Sequence, residues 1–107
     1  VKPSPFTGIF LMPPTDTRYT FADLIFKPRS GGGGIAARLN FPNGYTASVV
    51  RGDFTYGGSA GLYEMAVLLG DSIVYDTPVT DDVLGHLTEG DVTEYLNEVA
   101  RLPPRSP

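Results

Sequence analysis

Alternation of apolar and polar side chains is clearest in two stretches, and each predicts an antiparallel hairpin. In residues 35–51 two extended runs flank Pro42-Asn43-Gly44. A two-residue Asn-Gly loop would pair Phe41 with Thr46 and Leu39 with Ser48, setting apolar against polar. A three-residue loop pairs Phe41 with Tyr45, Leu39 with Ala47 and Ala37 with Val49. That register gathers the apolar residues on one face and gives Gly44 the left-handed position, so the pattern predicts the longer loop. In the second stretch Tyr63, Met65, Val67 and Leu69 alternate with Leu62, Glu64, Ala66 and Leu68. Both sets are mostly apolar, which predicts a central strand. Gly70-Asp71 predicts its turn, and residues 72–76 predict the returning strand before Pro78 stops it. Upstream, the aromatic and β-branched run of residues 19–28 predicts a leading strand buried on both faces.

The period changes near the C-terminus. Val92, Tyr95, Leu96, Val99 and Leu102 recur at helical spacing, and Pro103-Pro104 end the run. Thr88 and Asp91 have the spacing of a reciprocal cap at its start. A short helix over residues 80–87 is also predicted, with Thr80 as its cap and His86 at its end, partly exposed. Together these elements define an α+β fold: an antiparallel sheet of four to five strands with a C-terminal helix packed on one face. Residues 1–20 hold four prolines and no sustained period, and are expected to form an extended arm ahead of a single domain, residues 21–107. The apolar part of that arm, Phe6, Ile9, Phe10 and Leu11, is the candidate for docking on a neighbouring subunit.

Charge is unevenly spread over the 107 residues. Residues 1–51 carry six basic side chains against two acidic ones, whereas residues 52–107 carry two against ten. Between Asp71 and Glu98 there are eight acids and neither Lys nor Arg. Such a segment repels phosphates and disfavours direct nucleic-acid binding, but it suits a basic protein surface. The chain has no cysteine, which excludes disulfides and Cys-based zinc sites. The run Gly8–Met12 is too short for a signal peptide, and no window reaches the length of a membrane span, so a cytoplasmic setting is expected.

Several motifs look like chemistry and have plainer readings. Gly57-Gly58-Ser59-Ala60-Gly61 lacks the Lys-Ser/Thr and the following helix that a phosphate loop needs. Its amides could still line an anion nest, the basis of a small-ligand or nucleotide alternative. Arg51-Gly52-Asp53 matches the integrin-binding tripeptide, but a turn with two flanking charges explains it. His86 is the only histidine, which removes multi-His metal sites, and no nucleophile elbow surrounds Ser48, Ser59 or Ser72. The acids lack the order of a calcium loop. No catalytic residue, metal site or cofactor is therefore assigned. Exposed aromatic side chains make good contacts, because a large ring orders at low entropic cost. Tyr19 and Tyr56 lie in loop-like context. The expected contact surface comprises Asp53, Phe54 and Tyr56 of a long flexible loop, residues 51–61, with Asp81, Asp82, Glu89, Asp91 and Glu94 of the acidic segment.

Residues 48–50, 56–58, 61–68, 74–92 and 95–99 carry the pattern SVV, YGG, GLYEMAVL, VYDTPVTDDVLGHLTEGDV and YLNEV. This pattern resembles small proteins of unassigned function encoded by tailed phages and prophages, over about residues 21–102. The resemblance implies an intracellular phage accessory protein, a class that includes inhibitors of host defence, and it transfers no catalytic residue. The expectation is thus a non-enzymatic protein that binds a host protein, such as a nucleic-acid-binding one, with no direct nucleic-acid or membrane contact. The alternative is a self-assembling homo-oligomer joined through its arm.

Overall fold

Two hairpins organise a six-stranded antiparallel sheet in the computed structural model, which describes residues 19–29, 33–53 and 55–107. The arm residues Phe6, Ile9, Phe10 and Leu11, and Phe54 of the loop, lie outside the described residues. The strands are β1 (Lys27–Pro28), β2 (Ile35–Asn40), β3 (Tyr45–Arg51), β4 (Tyr63–Leu69), β5 (Ser72–Ile73) and β6 (Leu84–Leu87). They run β1-β2-β3-β4 across the sheet, and β4 then pairs with β5 at one end and β6 at the other. The first hairpin has the three-residue loop: Ala37 pairs with Val49 and Leu39 with Ala47. Phe41 N–H donates to Tyr45 C=O at 2.8 Å, and Gly44 sits at φ 98°. Strand β4 is central, with Met65 to Leu69 buried on both faces, as its unbroken apolar pattern requires.

The helix α1 (Glu89–Ala100) covers one face. Thr88 Oγ1 accepts from Asp91 N–H at 3.1 Å, and the Asp91 carboxylate accepts from Thr88 N–H at 3.0 Å. This reciprocal cap satisfies two backbone donors and fixes where the helix begins. A helix of twelve residues is marginal alone, so its apolar stripe must hold it. Val92, Leu96 and Val99 are fully buried against Ala37, Ala47, Val49, Met65 and Val67, each side chain contributing about 1.5–3 kcal/mol. Ala66 and Leu68 point to the other face and stand outside this cluster.

Three predicted elements differ. The leading segment is not a strand buried on both faces: Phe21–Asp23 form a 3-10 turn, and only the exposed Lys27 and Pro28 pair with β2. Asp23 accepts the Thr20 N–H at 2.8 Å, which stops extension there. Phe21 and Phe26 then fold onto Tyr63, with ring centroids 5.0 and 5.6 Å away. Residues 80–87 hold no helix, because Leu84–Leu87 pair with β4 instead. The return after Gly70-Asp71 keeps strand pairing only at Ser72 and Ile73, extended by one bond from Val74 N–H to Val67 C=O.

Side chains tie the ends of the chain to this frame. Tyr19, expected as an exposed contact, packs edge-on against Phe41 at 4.9 Å and exchanges two hydrogen bonds with the Asn97 amide. The buried Asn43 donates to Val99 and Leu102 carbonyls at 2.8 and 3.0 Å, and its own carbonyl accepts Tyr45 N–H at 3.1 Å. Arg105 N–H donates to Asn43 C=O, and the Arg105 guanidinium grips both Asp76 oxygens at 2.9 and 3.2 Å.

Candidate protein-binding surface

The described residues of the connection from β3 to β4 form a succession of turns. Thr55 N–H donates to Gly52 C=O, and Thr55 Oγ1 bonds both Gly52 N–H and C=O at 2.9 Å. Gly58 N–H then donates to Thr55 C=O. Gly57 and Gly61 take φ near +86° and +80° on either side of a 3-10 turn, Gly58–Ala60. A Cβ at Gly58 would overlap the Gly52 carbonyl, so the close approach of the two segments requires a glycine there. The amides of Gly58, Ala60, Gly61 and Leu62 are all donated within the loop. The anion-nest reading loses those donors.

Tyr56 is held in the middle of this structure. Its N–H donates to Glu64 Oε1 of β4 at 2.9 Å, and its carbonyl accepts His86 N–H of β6 at 3.2 Å. The backbone approach is tight, since a Cβ on Gly85 would lie 2.6 Å from Tyr56 Cβ. His86 itself has φ 58°, the left-handed region, and is exposed in a strand instead of ending a helix. Tyr56 is 63% exposed. The backbone of Tyr56 is thus held at both its N–H and its carbonyl while its ring stands open to solvent.

The acidic residues divide by what already engages them. Asp81 and Asp82 sit on the bend that leads into β6, three to five residues ahead of the Gly85 and His86 positions that contact Tyr56. Thr80 Oγ1 accepts Asp82 N–H, and Asp82 Oδ1 accepts Val83 N–H at 2.7 Å, so Thr80 caps a bend and not a helix. Asp81, Glu89 and Glu94 are exposed, as is Asp53 in the turn region. Asp91 spends its carboxylate on the helix cap. Asp71 faces Arg38 at 3.6 Å, and Asp76 is paired to Arg105, whose hydrogen bonds hold the Asp76 carboxyl below the usual carboxylate range. Glu98 turns one carboxylate oxygen into the protein. The eight acids therefore do not form one continuous free face.

The structure brings Tyr56 to the segment carrying Asp81 and Asp82, and Glu94 stands exposed on α1. Sequence reasoning missed Glu64, Gly85 and His86, which position Tyr56. Glu64 carries a visible signal, as the lone charge in the apolar run of β4. Arg51 is not a free adhesion residue: its Nη1 donates to Tyr63 Oη at 3.1 Å, and its guanidinium lies 4.9 Å from the Tyr63 ring centre. Among the described residues no group of three His, Asp or Glu side chains is placed to hold a metal ion, and no helix is long and apolar enough to cross a membrane.

The class defined by these features is an α+β domain with a six-stranded antiparallel sheet and one covering helix. Comparison with protein-family models, with curated proteins and with solved structures gives no match to this chain.

Proposed function

We propose that this chain is a non-enzymatic binding protein that captures a partner protein with a basic surface, using Tyr56 as the anchor and Asp81 and Asp82 as flanking charges. The observation that carries the proposal is Tyr56, largely exposed yet fixed by hydrogen bonds to two different strands. Partners gain most from such rigid aromatic anchors because little side-chain freedom is lost on binding. In the phage setting that the sequence resemblance implies, the partner is a host protein, and one that itself binds nucleic acid would present the required basic surface. Asp71, Asp76 and Asp91 already have partners within the chain, which argues for a small charged rim around an aromatic centre over extended imitation of a phosphate backbone.

Affinity capture from host lysate, read by quantitative mass spectrometry, tests this. Tyr56→Ala is expected to lower partner recovery to the extent of a hot-spot loss, about 2 kcal/mol or roughly 30-fold in Kd. Asp81→Asn with Asp82→Asn should weaken capture at low salt and matter less at high salt. Equal recovery by the parent, the Tyr56 variant and the Asp81/Asp82 variant would overturn the assignment.

A further inference from the structure

Asn43-Gly44 is the one Asn-Gly pair in the chain. In an unfolded chain such a pair is chemically labile, because glycine has no Cβ to keep its nitrogen away from the preceding side chain. The Gly44 nitrogen gives up its proton to solvent base and bonds to Asn43 Cγ. The bond from Cγ to Nδ2 breaks, and the freed nitrogen takes up a proton and leaves as ammonia. A five-membered imide remains, which water opens at either carbonyl. Opening at Cγ of the backbone-linked ring leaves an aspartate at position 43. Opening at the main-chain carbonyl leaves an isoaspartyl link, with the side-chain methylene now part of the backbone.

The fold occupies each group this reaction uses. Gly44 N–H donates to Phe41 C=O at 3.1 Å. Asn43 Nδ2 donates to the Val99 and Leu102 carbonyls at 2.8 and 3.0 Å, and Oδ1 accepts Tyr45 N–H at 3.1 Å. Asn43 cannot swing its Cγ onto the Gly44 nitrogen without breaking those bonds, and at 8% exposure it is shielded from base and water. Neither residue is exchangeable for a more stable one. Gly44 has φ 98°, and a Cβ there would overlap the Arg105 carbonyl. Position 43 must both donate to helix-end carbonyls and accept from β3, which a carboxylate cannot do. The same contacts that demand a labile pair also protect it.

Much of that protection comes from one short segment. Leu102 supplies a carbonyl to Nδ2, and Arg105 N–H donates to Asn43 C=O at 2.9 Å. The Arg105 guanidinium anchors the segment to Asp76 through a solvent-accessible ion pair. We infer that Asn43-Gly44 is a latent deamidation site kept closed by residues 102–105, and that release of this segment opens an irreversible route out of the fold. An aspartate at position 43 sets a carboxylate against the Val99 and Leu102 carbonyls. An isoaspartyl link lengthens the loop that Phe41 and Tyr45 close. Neither product rebuilds the hairpin-to-helix junction, so a reversible opening becomes a permanent loss. This chemistry lies apart from the Tyr56 surface and does not depend on the function proposed for it.

The full chain, incubated at mildly alkaline pH and followed by peptide mapping with mass spectrometry, tests the inference. Asn40 and Asn97, which precede Phe41 and Glu98, serve as internal references. Conversion at Asn43 should be at least about 100-fold slower in native buffer than in denaturing guanidinium chloride, as the small open fraction of a folded domain requires. Asp76→Asn loosens the closing segment and should speed the native reaction at least about 2-fold. Thr88→Ala weakens the fold from the far end of α1 and should leave that rate unchanged. Chains converted at Asn43 and returned to native buffer should fail to regain the parent's thermal midpoint. Equal rates in the two buffers would overturn the proposal, as would converted chains that refold to the parent midpoint. Acceleration by Thr88→Ala equal to that by Asp76→Asn would overturn the role given to residues 102–105.

Discussion

Asn43 does more than turn a hairpin. Its amide reaches the carbonyls left over at the end of α1, while its own carbonyl holds the first amide of β3. One side chain thereby joins the hairpin loop to the helix terminus, in a place closed to water. Asn43→Ala leaves buried donors and acceptors without partners, and should cost about 2–4 kcal/mol by urea denaturation. Asn43→Asp should cost more, because the new carboxylate faces carbonyl oxygens that it cannot bond. Gly85 has a comparable positional role. Gly85→Ala places a methyl group against Tyr56 Cβ and should displace Tyr56, measurable as faster amide exchange at Tyr56 and His86 with little change in the core.

At the level of elements, the capping pair Thr88 and Asp91 sets the start of α1. Thr88→Ala should destabilise the protein by about 1 kcal/mol in chemical denaturation. The same Thr-x-x-Asp spacing stands at Thr20 and Asp23, where Asp23 also accepts the Thr20 amide. That signal was present in the sequence and points away from the strand suggested by the aromatic content of residues 19–28. The first hairpin was legible because alternation across Pro42-Asn43-Gly44 admits one register that keeps apolar residues together. The covering helix was legible because five apolar positions share one stripe. Strand β6 was not, since four residues, Leu84–Leu87, are too few to show a period and are recruited by the open edge of β4. The candidate surface was legible in part. Tyr56 and the neighbouring acids could be named, but Glu64, Gly85 and His86 meet Tyr56 only through pairing between distant segments.

Across the whole molecule, residues 103–107 act as a strap. Arg105 spans from the Asn43 carbonyl to Asp76, and Pro107 lies beside Gly70. The lowered Asp76 pKa gives the strap a defined pH response. A carboxyl with a folded pKa below its unfolded value contributes stability above the unfolded value, and that contribution disappears as pH falls through the folded one. The thermal midpoint of the parent should therefore exceed that of Asp76→Asn at neutral pH. The gap should narrow below about pH 4, near the unfolded carboxyl value, and vanish at still lower pH. A gap that stays constant down to pH 2 would remove the strap's ionic component.

The order of elements along the chain has a consequence for biosynthesis. All six strands precede the helix that covers Val49, Met65 and Val67. A ribosome adding about 5–20 residues per second makes the whole sheet before α1 emerges. During that interval the apolar side of the nascent sheet has no lid, and it is then that a chaperone would find its binding site. Stalled translation within residues 88–100 should accordingly yield chains that crosslink to such a chaperone, while chains released past Leu102 do not.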